Sequence, residues 1–296
     1  MAKFLVSGLL NTETTAKVRR FPIDYYPIDY PFFGVGTSVS GVAFNIVKAL
    51  KTLGDEIALC SMTGDDTTSA VVFEELNQSG IPTDNVVKSL KETPQSVVLY
   101  DEKGKRQIYC DLKDIQEKEY GFSSELLNGV DAVLACNINF NRPLLKLAKE
   151  QGKLIATDVH VLSDPDDEYN RDFIEAADIL FLSDEGISGD YRSFLMSLAA
   201  RSSADIIVLG MGSDGALMYL CGENRFVQQS VKNIGKVVNT VGAGDALFSS
   251  FMHFYVKGLS PEEALDKAQL FAAMKIRHSG AAKGFPSEEE LNRQEA

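Results

Sequence analysis

The residues best suited to phosphate chemistry lie in one short segment, 239–245, which reads Asn-Thr-Val-Gly-Ala-Gly-Asp. A helical pattern follows this segment through about Lys257. Glycines just before a helix leave backbone N–H groups free, and the positive end of the helix dipole adds to them, so the loop can bind a phosphate or stabilise a developing anion. An acid at the end of such a loop, here Asp245, can accept a hydroxyl proton. The same pattern also suits a tight packing turn in which the aspartate caps the helix.

The elements that must position this loop alternate between short apolar strands and amphipathic helices. Helices are predicted at 43–53, from 66 or 67 to 79, at 143–151, 169–176 and 191–200, and strands at 57–60, 86–87, 132–135, 154–156, 179–182 and 206–209. Two further strands at 216–220 and 226–231 precede two closing helices, the second with a capping box at Ser260. Repeated βαβ units indicate an α/β fold, a doubly wound, mainly parallel sheet with helices on both faces.

Two segments interrupt this rhythm. The first, Phe21 to Phe33, contains three prolines, which prevent a regular helix or central strand. The second reads as a β-hairpin, 96–100 and 106–110, with a glycine in its turn. We expect 14–40 and 94–113 to form a small β lid inserted in a single domain, 1–296. The aromatic residues of the first segment fit packing within the lid or at a dimer interface, or stacking on a base or sugar: Phe21, Tyr25, Tyr26, Tyr30, Phe32 and Phe33.

Composition excludes several classes of protein. The 296 residues are 45% hydrophobic and 24% charged, which is ordinary globular usage. With 42 acidic and 29 basic residues the formal charge is −13, which opposes binding to nucleic acids and to anionic membranes. The apolar run 4–6 is too short for a signal peptide core or a membrane span. The four widely spaced cysteines favour reduced core cysteines in a cytoplasmic protein over a disulfide or metal framework, and the three distant histidines disfavour a histidine metal site.

The segment 239–245 resembles the C-terminal signature of the ribokinase-like, or PfkB, family of small-molecule kinases, D-T-x-G-A-G-D. Asn239 stands in place of the first aspartate. Residues 41–45, Gly-Val-Ala-Phe-Asn, followed by a helix and Leu-Gly at 53–54, are similar to the family's N-terminal signature, with Ser40 in place of its first glycine. The run 268–286 is similar to the end of the family's nucleotide pocket. The three matches span nearly the whole chain.

The resemblance implies transfer of the γ-phosphoryl group of ATP to a hydroxyl of a sugar or nucleoside. It implies that Asp245 is the general base and that an anion hole is formed by Gly242, Ala243 and Gly244. The family fold, a doubly wound sheet with a small β lid over the sugar, agrees with the insertion expected above. Closure of such a lid excludes water, which competes as phosphoryl acceptor.

On the acceptor side, the resemblance implies that Gly41 and Asn45 contact substrate hydroxyls. Glu13 falls where the family usually places a sugar-binding aspartate, and its side chain is one methylene longer, which changes its reach. Arg106 on the hairpin either offsets phosphate charge when the lid closes or is a surface arginine.

Residues 210–215, Gly-Met-Gly-Ser-Asp-Gly, match G-x-G-x-x-G, but the next residues read as a strand, so a dinucleotide fingerprint is disfavoured. A hairpin turn that needs glycine explains the pattern equally. In the resembled kinases a strand-turn-strand at this place lies along the ATP phosphates. The resemblance therefore implies a nucleotide site that includes Gly210, Gly212, Gly215, Thr240 and Gly280. No G-x-x-x-x-G-K-[ST] occurs, which excludes a P-loop.

The cofactors implied are ATP and Mg²⁺, with K⁺ near the anion hole as a further family expectation. Ser183 replaces the asparagine of the family's N-x-x-E, so Asp184 and Glu185 are either carboxylates near the magnesium or acids at a solvated helix start. The resemblance also implies a homodimer formed through the lid. Two alternatives remain open: a kinase of a sugar phosphate, and an idle sugar- or nucleotide-binding sensor, which would have little reason to keep Asp245.

Overall fold

The computed structural model describes residues 1–232 and 234–295. The strands in these residues are, in chain order, β1 (Lys3–Ser7), β2 (Asn11–Lys17), β3 (Val35–Ser40), β4 (Glu56–Thr63), β5 (Val86–Lys88), β6 (Gln95–Tyr100), β7 (Arg106–Asp111), β8 (Ala132–Ala135), β9 (Leu154–Val161), β10 (Ile179–Ser183), β11 (Ile206–Gly210), β12 (Ala216–Leu220) and β13 (Arg225–Gln229). The helices are α1 (Val42–Thr52), α2 (Thr67–Gln78), α3 (Arg142–Glu150), α4 (Arg171–Ala176), α5 (Tyr191–Ala199), α6 (Ala243–Val256), α7 (Pro261–Lys275) and α8 (Glu288–Glu295).

The main sheet of the described residues has the strand order β13-β12-β11-β10-β9-β8-β1-β4-β5. Its pairings are parallel except at one edge, where β12 is antiparallel to both β11 and β13. This edge hairpin explains why Gly210–Gly215 is not a dinucleotide fingerprint, because β12 follows it where such a motif needs a helix. The predicted doubly wound, mainly parallel sheet is confirmed.

Helices cover both faces of this sheet because its strands are apolar on both sides. In β1, Phe4 and Val6 belong to one buried cluster, which also includes residues of α1, α6 and α7. Leu5 points the other way, into a second buried cluster with residues of α3, α4 and α5. Successive side chains of a strand alternate between faces, so a continuous apolar run is what a sheet buried on both sides requires.

The helix starts follow the capping residues seen in the sequence. The Asp66 side chain accepts a hydrogen bond from the Ser69 N–H, at 2.7 Å, and so caps α2. At the start of α7 the Ser260 and Glu263 side chains form the reciprocal capping box. Each cap satisfies N–H groups that a helix cannot pair internally.

The lid is a separate four-stranded sheet in the order β3-β2-β6-β7. Its strands lie at 11–17, 35–40, 95–100 and 106–111, whereas the sequence predicted lid segments at 14–40 and 94–113. The proline-rich stretch 21–33 contains neither helix nor strand. A small lid sheet beside the main domain is thus confirmed. Its strand β2 follows directly after β1 of the main sheet.

The four cysteines differ in their exposure to solvent. Of the four cysteines, Cys60 and Cys136 are buried and Cys221 is partly buried, but Cys110 is exposed. The expectation of core cysteines was therefore wrong for Cys110, because it lies on β7, the edge strand of the lid sheet.

No helix of the described residues is long and apolar enough to cross a bilayer.

A buried histidine–aspartate hydrogen bond joins the far end of α6 to the loop after α1. The His253 Nδ1 atom lies 2.6 Å from Asp55 Oδ2, and both side chains are almost fully buried. The Ala2 N–H donates to the other oxygen of Asp55. Removal of one partner of such a pair leaves an uncompensated charge inside the protein, which costs far more than the loss of an exposed pair.

We therefore expect His253→Leu to lower the free energy of unfolding by about 3–5 kcal/mol, as measured by urea denaturation. Adding Asp55→Asn to this variant should recover part of the loss, because the buried charge is then removed. Arg20→Ala, which breaks the exposed pair with Asp24, is the control and should leave the midpoint unchanged. Equal shifts in the two single variants would contradict this account of the buried pair.

Candidate active site

The candidate site lies where the strand order of the main sheet changes direction. β1 is flanked by β4 on one side and β8 on the other, so the chain leaves β1 toward both edges in turn. Crevices at such switch points, beyond the carboxyl ends of the strands, are where open α/β sheets bind ligands. Gly8 and Cys136 follow the two strands there, and a Cβ on Gly8 would lie 2.3 Å from Cys136 Sγ. The floor of the crevice is therefore closely packed.

Asp245 and Asn45 meet above this floor from two different helices. Asn45 lies in the first turn of α1 and Asp245 in the first turn of α6, and the Asn45 Nδ2 atom donates to Asp245 Oδ2 at 2.6 Å. Burial raises the pKa of the Asp245 carboxyl above its ordinary value, while His160 and the Asn45 hydrogen bond act in the opposite direction. Asn45 Oδ1 is buried and has no hydrogen-bond partner among the described residues. The oxygens of Asn45 and Asp245 can therefore accept hydrogen bonds from hydroxyl groups.

The N-terminus of α6 begins with a left-handed residue. Gly242 has φ 78°, and a Cβ there would lie 2.4 Å from the carbonyl oxygen of Ala281. The Ala243 N–H donates to Thr240 O at 3.1 Å, and the first bond of the helix runs from the Ala246 N–H to Gly242 O. Within the described residues, the N–H groups of Gly242, Gly244 and Asp245 have no acceptor. These free donors at a positive helix end fit a phosphoryl group.

Residues 239–245 form what we call the anion loop. The backbone at its start is hydrogen-bonded to the residue that follows α7. The N–H groups of Val238 and Asn239 both donate to Ile276 O, at 2.9 and 3.1 Å. The Asn239 Oδ1 atom accepts from the Val241 N–H at 2.8 Å. This is a side-chain turn that an aspartate could also make, so the departure at Asn239 keeps the local geometry and removes one negative charge.

Lys275, the last residue of α7, is completely buried beside the same loop. Its ammonium group donates a hydrogen bond to Val241 O. Burial lowers the pKa of Lys275 to about 8, although the charges of Asp245 and Glu13 oppose the change. The side chain therefore carries its proton at neutral pH and places a positive charge behind the free N–H groups.

A second cation, His160, reaches the site from the end of β9. Its backbone is left-handed, with φ 59°, and its N–H donates to Asp158 Oδ1 at 2.8 Å. Burial by itself would lower the pKa of His160, but the adjacent Asp158 carboxylate and Asp245 outweigh it, and the pKa rises to about 9. The imidazole of His160 thus lies beside two carboxyl groups, Asp158 and Asp245, which both favour its protonated form.

The lid contributes Glu13, which is nearly buried on β2. Its Oε2 atom accepts from Ser40 Oγ at 3.4 Å. Burial raises the pKa of Glu13, while Ser40, Lys275 and Arg106 act in the opposite direction. Nearby, Asn11 Nδ2 donates to Ser96 Oγ, and Asn11 Oδ1 is buried without a partner among the described residues. The lid therefore contributes a row of polar groups, of which Glu13 lies close enough to Asp245 and Lys275 of the main domain to interact with their charges.

The two remaining candidates for substrate contact are Gly41 on the main domain and Arg106 on the lid. Gly41 has φ 106°, and a Cβ there would lie 2.4 Å from Leu9 O, so its role is close backbone packing at the start of α1. Arg106 begins β7, and its guanidinium lies 4.0 Å from Glu185 of the main domain. This contact bridges the lid and the main sheet.

The predicted nucleotide residues lie along the carboxyl edge beside this site. Gly210 ends β11 and pairs with Ser183 at the end of β10. Gly215 has φ 92°, and a Cβ there would lie 2.0 Å from Gln229 O, so the hairpin itself requires glycine. Gly280 has φ 91° and immediately precedes Ala281, which contacts Gly242. Gly212 lies in the hairpin turn, and Thr240 is exposed beside the anion loop.

The two metal candidates are next to this edge. The Asp184 N–H donates to Gly210 O, and its Oδ2 atom accepts from Tyr191 Oη at 3.1 Å. Glu185 makes the ion pair with Arg106. The described residues contain no group of three or more His, Cys, Asp or Glu that could hold a metal ion. One or two carboxylates beside nucleotide phosphates are the usual protein contribution to a Mg²⁺ site, and Asp184 and Glu185 fit it.

Three charged site residues were not found by sequence reasoning. Lys275 in a last helical turn is the ordinary partner of a helix dipole, and nothing in its neighbours indicates that it is buried. His160 and Asp158 are two residues apart at the end of a strand, but the left-handed backbone that turns the histidine toward Asp245 has no signal in the residue types. A charged pair directly after an apolar run at a carboxyl end is the one clue that was available.

A family model described as the pfkB family of carbohydrate kinases matches residues 1–288. The chain belongs to the PfkB family of carbohydrate kinases. A ribokinase of Dictyostelium discoideum is 23% identical over 292 residues, which cover 86% of this chain and 89% of that protein.

Solved structures show the same fold at low identity. The acarbose kinase Mak1, described as microbiome-derived, has a TM-score of 0.87 at 22% identity and matches 99% of this chain and 98% of its own. The ribokinase of Arabidopsis thaliana complexed with ribose and ATP has a TM-score of 0.83 at 21% identity, over 99% and 98% of the two chains. The predicted membership of the PfkB family and the ribokinase-like fold are thus confirmed.

The two glycines of the PfkB anion loop allow a matched pair of variants. Gly242→Ala places a Cβ against Ala281 O and forces an alanine into left-handed backbone, so we expect it to lower the free energy of unfolding by about 1–3 kcal/mol. Gly244→Ala meets no atom within 4 Å, and we expect its unfolding to match the wild type. Urea denaturation of both variants measures this, and similar losses in the two would show that the turn at Gly242 is not the constraint.

Proposed function

We propose that this PfkB protein transfers the γ-phosphoryl group of ATP to a hydroxyl of a sugar or nucleoside, with Asp245 as general base. The observation that carries the proposal is the N-terminus of α6. A half-buried carboxylate and free backbone N–H groups lie side by side there, near the switch point of the sheet. Proton acceptance and anion stabilisation are the two functions that phosphoryl transfer to an alcohol asks of a protein.

In this proposal the acceptor hydroxyl donates to the carboxylate of Asp245, which the hydrogen bond from Asn45 holds in place. The carboxylate of Asp245 takes the hydroxyl proton as the oxygen attacks the γ-phosphorus, and the bond from that phosphorus to the β-phosphate oxygen breaks, so that ADP leaves. The N–H groups of Gly242 and Gly244 hold the oxygens of the transferred group, since the N–H of Ala243 is already used by Thr240. Asn45 orients the carboxylate, and its unpartnered Oδ1 atom accepts from a second substrate hydroxyl.

The nucleotide would lie along the edge formed by the β11–β12 hairpin, Thr240 and Gly280. Mg²⁺, when bound, neutralises charge on the phosphates, and Asp184 and Glu185 would hold it from the protein side. The contact of Arg106 with Glu185 supports a role in which Arg106 adds positive charge from the lid. The lid also excludes water from the transferred group.

The polar row on the lid favours an acceptor with several hydroxyl groups. Glu13 and Asn11 present acceptor oxygens toward the site, and Asn11 Oδ1 has no partner among the described residues. A sugar or the ribose of a nucleoside supplies the donors that these atoms lack.

Measurement of ADP production from Mg·ATP over pentoses, hexoses, nucleosides and sugar phosphates tests the function. We expect turnover on one class, reduced at least about hundredfold by Asp245→Asn, because the amide cannot accept the proton. Asp84→Asn, an exposed residue away from the site, is the matched control. Because burial raises the pKa of Asp245, kcat/KM of the wild type should fall on the acid side at a pH above about 3.9, the value of a free aspartate.

Undiminished turnover in Asp245→Asn would remove the general base from the proposal. Absence of turnover on every acceptor, together with retained ATP binding by calorimetry, would instead support the sensor alternative.

We also propose that the lid forms a homodimer through its outer face. Ser96 and Val98 of β6 are buried, whereas Val97 between them is exposed, so the odd-numbered positions of this strand point away from the main domain. Val97 pairs in register with Tyr109, and both large side chains lie in water in the single chain. Exposed aromatic residues between β2 and β3 add further apolar surface to the lid: Tyr25, Tyr30, Phe32 and Phe33. A second copy that presents the same face would bury it.

We expect sedimentation velocity to show a dimer for the wild type and a monomer for the double variant Val97→Lys and Tyr109→Lys. Charges on this face prevent close packing of two apolar sheets. Met196→Lys, a comparably exposed residue on α5, is the control and should remain dimeric. A wild type that sediments as a monomer at every concentration would rule out the dimer.

A further inference from the structure

The position of Lys275 disagrees with one expectation that the family resemblance raises, a monovalent cation such as K⁺ near the anion hole. Lys275 has no exposed surface, although lysine is among the residues least often buried. Its ammonium group donates to the carbonyl oxygen of Val241, in the middle of the anion loop. A buried charge next to a carbonyl oxygen is what a bound cation would otherwise provide.

The left-handed turn at Gly242 makes this carbonyl available. In a regular helix, Val241 O would accept from the N–H four residues later, that of Asp245. That bond is absent from the described residues, and the first helical bond is instead the one from Ala246 to Gly242. The ammonium of Lys275 therefore satisfies an oxygen that the helix leaves open, while the Asp245 N–H stays free for the phosphoryl group.

Charge balance around the loop agrees with a built-in cation. The charged groups that face the Lys275 amine are the carboxylates of Asp245 from α6 and Glu13 from the lid. Asn239 carries no charge at the place where the family signature has an aspartate. The loop therefore has one fewer negative charge than the family signature, and the positive charge of Lys275 lies against it.

We infer that the ammonium of Lys275 takes the place of a monovalent cation behind the anion loop, so that phosphoryl transfer by this chain does not require K⁺. This inference rests on the proposed kinase function. Lys275 acts through the backbone, as a positioning residue: it fixes the Val241 carbonyl inward and the N–H groups of the loop outward. Its charge also adds to the helix dipole at the point where negative charge builds up.

The test compares wild type, Lys275→Ala and Lys275→Met at pH 7 in KCl and in tetramethylammonium chloride of equal ionic strength. We expect the wild-type rate to be the same in the two salts within about twofold, and Lys275→Ala to lose at least about tenfold in kcat/KM in tetramethylammonium. K⁺ should restore part of that loss, because the removed side chain leaves space beside a free carbonyl. Lys146→Met, an exposed lysine of α3, is the control.

A second measurement does not depend on finding the acceptor. Thermal unfolding without nucleotide should give equal midpoints for the wild type in the two salts, and a higher midpoint in KCl for Lys275→Ala alone, since a bound ion stabilises the folded state. If Lys275→Ala does not fold, the wild-type comparison and the rate of Lys275→Met in tetramethylammonium decide the question.

Three results would overturn the inference. The first is a wild-type rate or midpoint that rises strongly with K⁺. The second is a variant without the ammonium that keeps the full rate in tetramethylammonium. The third is a loss in Lys275→Ala that K⁺ does not restore, which would indicate a purely structural role. A failure of the kinase proposal appears separately, as absence of turnover in the wild type with the thermal result unchanged.

Discussion

The left-handed backbone at Gly242 is the constraint on which the rest of the site depends. It turns the chain so that the Val241 carbonyl points into the protein and the following N–H groups point out of it. A side chain at this position would collide with the carbonyl of Ala281, so the turn also fixes the distance between the start of α6 and the segment after α7. A helix that began one turn earlier would consume the free donors. The chemistry that we propose is therefore a consequence of where one helix is allowed to start.

Buried charge is the second feature that unites the structure. Glu13 is a buried carboxylate and Asp245 a half-buried one, and removal from water raises the pKa of each. Two cations offset them, Lys275 from α7 and His160 from β9. The lid supplies one of these carboxylates, so the electrostatics of the site depend on the contact between the two sheets. A separated main domain would lose part of the balance that keeps Asp245 able to accept a proton.

Sequence reasoning found the parts of the site that depend on local residue types. The loop at 239–245 and the helix that follows it were predicted from residue types, and the family resemblance implied Asn45. The structure brings Asn45 and Asp245 into contact across 200 residues of chain. The β11–β12 hairpin was predicted because a strand pattern follows its glycines. Lys275 and His160 were missed. Burial of a lysine and a positive φ at a histidine arise from packing of other elements, and neither leaves a pattern in the neighbouring residues.

The sequence by itself determined the α/β alternation, the presence of a lid and the residue types of the anion loop, because periodicity, turn residues and capping residues act over a few positions. Tertiary structure decided which charges surround that loop. Asp245, Glu13 and Lys275 come from three different elements, α6, β2 and α7, and the energies of their interactions depend on distance and on exclusion of water. Those two quantities exist only once the helices and both sheets have packed.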